Sequence, residues 1–194
     1  KEIIMKTKEE IIELLKTDVQ AFNAYRQELF DEGIYDLDLS RVDLSSASLN
    51  RANLYNADLS NANLSSASLN RANLYNVDLW NADLFNANLE NANLRNADLR
   101  NANLRNADLR NANLRNVDLR NVDLSCAKLD QEFIQVIGLG SEKRMTTYLF
   151  SDDIIFCGCF KGSLKEFKKR VKETYPDENN KYRLEYLDFI KMIN

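Results

Sequence analysis

Histidine is absent from this 194-residue chain, which removes the usual proton shuttle and the commonest metal ligand together. Cysteine occurs three times, an odd number that makes no disulfide framework. Glycine is scarce, with five residues. Neither a glycine-rich phosphate loop nor a GxSxG nucleophile turn can be found. No apolar run approaches the roughly 18 residues of a membrane helix. The opening Lys1–Lys8 is too polar for a signal peptide. These features lead us to expect a reduced, cytoplasmic protein. The 26 basic and 30 acidic residues leave a formal charge of -4, which argues neither for nor against nucleic acid. An enzyme has little to work with here, and no catalytic residue or cofactor is expected.

What the sequence does have is a five-residue period. From Leu37 it reads LDLSR, VDLSS, ASLNR, ANLYN, ADLSN, and so on to AKLDQ at 127–131, nineteen units in all. The central position i is Leu in every unit, from Leu39 to Leu129. Position i−2 is Ala or Val except at Leu37, and i−1 is Asp, Asn or Ser until Lys128. A straight helix turns about 500° in five residues, so successive leucines share no face. A flat strand sends alternate leucines to opposite faces. The conflict vanishes if the chain turns a right angle every five residues, with i−2 and i pointing inward. Four sides close a twenty-residue coil, and Ala47–Asn56 indeed recurs unchanged as Ala67–Asn76. Asparagine at twelve of the i+2 positions suits the unusual backbone of corners and can stack into ladders.

Through A(D/N)LxN repeated without a gap, the tract resembles the pentapeptide-repeat family. The resemblance implies a β-solenoid, a right-handed quadrilateral β-helix of just under five coils. Some relatives, the quinolone-resistance pentapeptide proteins, imply DNA gyrase or another topoisomerase as a candidate partner. Ten basic against eleven acidic residues in the tract make a weak imitation of an acidic duplex. The central phenylalanines frequent in those relatives are also missing.

An exposed end of such a stack needs a cap. Thr7 and Glu10 form a capping box, and apolar residues from Ile11 to Leu29 predict one amphipathic helix over 8–30. We therefore divide the chain into an N-terminal helical cap at 1–36, repeats at 37–131 and a small α/β unit at 132–194. In that unit Phe133–Leu139, Arg144–Phe150 and Asp153–Phe160 predict strands. Ser163 and Glu166 open a helix that Pro176 stops, and Tyr182–Ile193 predicts a last one. Its aromatic rings suit either its own core or a homodimer surface. Cys157 and Cys159, two apart on one predicted strand, read as structural thiols rather than metal ligands.

Folding the tract at twenty residues stacks Tyr35, Tyr55, Tyr75, Arg95 and Arg115 in one exterior column. Ser40, Ser60, Trp80, Arg100 and Arg120 form the next, Phe85 precedes Arg105, and Glu90 precedes Arg110. Aromatic and arginine side chains are those enriched at binding hot spots. The alternative is that same-face stacking only stabilises the coils. Aspartates interrupt the arginines, so direct nucleic-acid binding is not expected. The absence of threonine from the repeats excludes the regular threonine ladders of ice-binding solenoids. Two function classes follow: a protein-interaction module of unknown partner, and a structural scaffold.

Overall fold

The computed structural model describes residues 4–130, 133–139, 144–149, 153–157 and 160–192. The chain divides into two compact units, Lys1–Asp118 with Asp123–Asp130, and Leu119–Val122 with Gln131–Asn194.

In the first unit, parallel bridges join residues twenty apart, from the strands β1 (Leu37–Asp38) and β2 (Ala57–Asp58) to the pair Asp108 and Lys128. Regular strand is confined to those two short segments, and each further repeat contributes one bridge. Every i+2 residue from Arg41 to Cys126 has a positive φ near 60°, so the chain turns a corner every five residues, four to a coil. No glycine lies in the tract, although eighteen backbones occupy the left-handed region. Asparagine is the side chain that tolerates that region best, which explains its dominance there.

Within the stack, a repeat flanked by coils on both sides has its backbone donors satisfied. In the unit centred on Leu64, the Ala62 N–H closes the turn onto the Leu59 carbonyl at 3.1 Å. Asn63 donates to Val42 of one neighbouring coil, and Leu64 and Ser66 donate to Asp83 and Phe85 of the other. The fifth N–H, on Ser65, goes to the Asn63 side chain at 3.1 Å. An i−1 Asp or Asn is therefore an acceptor for the backbone two residues on. The i and i−2 side chains fill the interior, with the leucines from Leu39 to Leu104 fully buried. Burying each leucine stabilises the stack by about 1.5–3 kcal/mol.

The predicted helix over 8–30 is two helices, α1 (Lys8–Thr17) and α2 (Val19–Asp31). Asp18 breaks it: its backbone is non-helical, its N–H caps α1 on the Leu14 carbonyl, and its carboxylate accepts the Ala21 N–H to start α2. The Thr7–Glu10 capping box is present.

The second unit is an antiparallel sheet in the order β3 (Phe133–Leu139), β4 (Arg144–Leu149), β5 (Ile154–Cys157), β6 (Phe160–Gly162), followed by α3 (Leu164–Thr174) and α4 (Lys181–Met192). The strand expected at 153–160 is two strands, because the chain reverses and Cys157 pairs with Phe160. Phe150, Cys159 and Ile193 lie outside the described residues. Ser163 and Glu166 form the second capping box. Tyr148, Ile155, Phe167, Val171, Tyr186, Phe189 and Ile190 make the core, with Phe160, Leu164 and Tyr175 against it. Among the described residues no helix is long and apolar enough to cross a membrane.

Candidate functional site: the exterior columns of the repeats

Because the interior is apolar and the backbone donors are engaged, chemistry on this unit is confined to exterior side chains. The i+1 position varies most, carrying Ser, Asn, Tyr, Trp, Phe, Glu, Arg and Asp at successive corners. The turn places each of them outside and directly above its counterpart twenty residues earlier.

The first column is brought together as expected. Tyr55 and Tyr75 stack with ring centroids 5.5 Å apart and planes within 6°. Phe30 of α2 meets Tyr55 edge-on at 5.7 Å, and the Arg95 guanidinium lies 5.8 Å from the Tyr75 ring centre. Tyr55 and Tyr75 are half-buried in this stack, and Phe85, in another column, is half-buried too, all less exposed than the sequence suggested. Trp80 stands out at 40% exposure and Tyr35 at 51%.

The six arginines do not act as one belt. Arg100 places Nε 2.8 and 2.9 Å from the two oxygens of Asp98 and also faces Asp118. Arg110 holds Asp108 in the same way, and Arg105 lies 3.8 Å from Asp123. The carboxylates raise the pKa of Arg100 and Arg110, and the Arg110 guanidinium holds Asp108 below the usual carboxylate range. Arg120 is half-buried and engaged as well. Arg95 and Arg115 are exposed and have no ion pair among the described residues.

Sequence reasoning missed the residues that finish the first coil. Lys8 donates to the Ser40 carbonyl and to Asp38, and Arg26 donates to the carbonyls of Tyr35 and Tyr55. The Asn23 amide accepts the Asn53 N–H at 2.7 Å and donates to the Arg51 carbonyl. These three side chains substitute for a preceding coil. Arg26 is fully buried over the Phe30 ring, and burial lowers its pKa. No motif announces such residues, since a polar side chain on an amphipathic helix ordinarily faces water.

Cys157 is a buried thiol that accepts from Thr146 Oγ1 at 3.1 Å and contacts the Tyr186 hydroxyl, which burial and the thiol push well above its usual pKa. Cys126 is exposed at a corner. No group of three potential metal ligands forms among the described residues.

A family model for the pentapeptide repeat region matches residues 47–129. HetL, a pentapeptide repeat protein involved in heterocyst differentiation regulation in the cyanobacterium Nostoc, is 39% identical over 47% of this chain, with a TM-score of 0.44. The matched part spans only 40% of HetL. A second Nostoc pentapeptide repeat protein is 35% identical over 55% of this chain and 94% of its own, with a TM-score of 0.28. QnrB1, a plasmid-mediated fluoroquinolone resistance protein, is 24% identical over 48% of this chain and 60% of its own, with a TM-score of 0.24. No curated protein matches the chain. The uninterrupted A(D/N)LxN units, the family match and the 94% coverage of one relative agree: the chain belongs to the pentapeptide repeat family.

Proposed function

We propose that this protein is a non-enzymatic module that binds another protein through the exterior columns of its repeats, on the right-handed quadrilateral β-helix of its family. One observation carries the reading. Backbone donors and interior side chains are committed to the coils, whereas the i+1 columns present Tyr, Trp, Phe and Arg outward in fixed register. Such side chains dominate protein interfaces because they bury large areas and form forked hydrogen bonds at small conformational cost. The broad recesses do not suggest catalysis: the one beside Lys8, Ser40, Arg41 and Asp58 is open and lined by solvated groups.

Cross-linking capture from an extract of the source organism tests the proposal. Full chain is compared with a Y55S/Y75S/W80S/F85S variant, serine being what the same position carries at Ser40, Ser45, Ser60 and Ser65. The expected result is a protein retained by the full chain and lost by the variant. Equal capture by both, or turnover of any substrate, overturns the reading. A supercoiling assay with purified DNA gyrase asks whether a topoisomerase is that partner, and inhibition lost in the variant would say so.

A further inference from the structure

The four i−1 columns differ sharply in charge. One is aspartate throughout, at Asp38, Asp58, Asp78, Asp98 and Asp118, a second carries Asp43, Asp83 and Asp123, and a third carries Asp108 and Lys128. The fourth holds Asn53, Asn73, Asn93 and Asn113 and has no ionisable group. Its amides form a ladder, Asn73 donating to Asn53 at 3.0 Å, Asn93 to Asn73 at 3.4 Å and Asn113 to Asn93 at 3.3 Å.

Arginines border this neutral face. Arg51 and Arg71 occupy the corner where the chain enters it, and Arg95 and Arg115 the corner where it leaves. All four are exposed, and none makes an ion pair among the described residues. Arg100, Arg105 and also Arg110, which shares the entering corner of this face, are instead paired with Asp98, Asp123 and Asp108. Three carboxylates at the border are themselves engaged: Glu90 is half-buried and accepts from Asn70 at 3.5 Å, Asp130 accepts the Asn111 N–H, and Asp36 accepts from the Asn56 amide.

We infer that the face of Asn53, Asn73, Asn93 and Asn113, with Arg51, Arg71, Arg95 and Arg115 at its corners, binds an acidic, extended segment of a partner polypeptide. Exposed guanidinium groups without an ion pair fit carboxylates with paired hydrogen bonds. Coils repeat at about 4.8 Å and alternate side chains of an extended chain at about 6.6 Å, a difference that long arginine side chains absorb. Single-stranded nucleic acid would use free ring faces as stacking platforms. Here the ring faces are taken, Tyr55 by Tyr75 and Tyr75 by Arg95. The inference rests on the protein-binding reading above.

The probe is a fluorescein-labelled peptide of alternating Glu and Thr, followed by fluorescence anisotropy with the full chain. The test variant is R51N/R71N/R95S/R115S, whose new residues occupy the same repeat positions elsewhere, so the fold is kept and circular dichroism verifies it. The control is R100S/R105S/R120S, which leaves both corners of the face untouched. The expected result is binding that weakens with salt, falls about tenfold or more in the test variant and survives in the control. No binding at low ionic strength, or equal loss in both variants, overturns the inference. Displacement by oligothymidylate at lower concentration than by unlabelled peptide also overturns it, in favour of nucleic acid. If the peptide fails while capture is still lost in Y55S/Y75S/W80S/F85S, the protein-binding reading stands and only this face is wrong.

Discussion

At the scale of single residues, each position of the pentapeptide answers a backbone requirement. Leucine fills the interior, a small residue at i−2 leaves room for it, Asp or Asn at i−1 accepts a donor, and Asn at i+2 takes the left-handed turn. The last requirement can be isolated at Asn86, which is exposed, has φ 57° and makes no side-chain hydrogen bond among the described residues. Asn86→Val is expected to destabilise the unit by about 1–2 kcal/mol, since a β-branched side chain resists positive φ. Asn86→Gly should stay within about 1 kcal/mol of the native chain, because glycine reaches that region freely. Urea melts followed by Trp80 fluorescence measure both, and equal loss in the two variants would show that the side chain, not the backbone, matters. Much of this was legible in the sequence: the inward positions and the corner asparagines follow from a strict period of five. The role of i−1 was not, because an acceptor for a donor two residues away leaves no periodic trace different from mere polarity.

Elements show where sequence reading ran out. The capping boxes at Thr7 and Ser163 were legible as spacings, but the break at Asp18 was hidden inside an apolar pattern that runs through both helices. The site was half legible: the columns followed from the period, whereas which arginines stay unpaired depends on the aspartates that neighbour them. The aspartate column makes its own prediction. Asp58, Asp78 and Asp98 are bridged directly opposite one another, and like charges so placed repel. Asn at i−1 accepts the same backbone donor, as Asn63 does for Ser65. D58N/D78N is therefore expected to stabilise the unit by up to about 1 kcal/mol, more at low salt than at high salt. A melting temperature unchanged at low ionic strength would exclude repulsion as a significant force there.

The cap has a pH signature at its rim. Hydrogen bonds from the Ser40 hydroxyl and N–H, with a smaller part from Lys8, lower the Asp38 pKa from 3.8 to about 2. A carboxyl with a depressed folded pKa stabilises fully above its unfolded pKa and loses that contribution as pH falls through about 2. Asp38 is largely exposed, so screening limits the effect to about 1 kcal/mol or less. Comparing urea midpoints at pH 4 and pH 2, Asp38→Asn should lose less stability over that interval than the native chain. An identical loss in both would show that Asp38 has no part in acid sensitivity.

For the whole molecule, the open quantity is mass in solution. The aromatic residues of the second unit suggested two destinations from sequence, an internal core or a two-fold contact. Phe167, Tyr186 and Phe189 are buried in the unit's own core, and Phe160 and Tyr175 pack against it. Phe167, Tyr186 and Phe189 therefore have little surface left for a partner copy, and Phe160, Tyr175 and Tyr182 keep only part of theirs. Among the described residues of that unit the large apolar side chain left most exposed is Leu184, at 46%. One leucine falls far short of the roughly 800 Å² per partner that a stable interface buries. Light scattering on the full chain is expected to give 22.4 kDa, the mass of one copy. Twice that mass at micromolar concentration would refute the expectation, and Leu184→Glu would then locate the contact. Return to a single-chain mass would place it on α4, and an unchanged dimer would move it to the exterior of the repeats, where Trp80 and Tyr35 are the exposed apolar side chains.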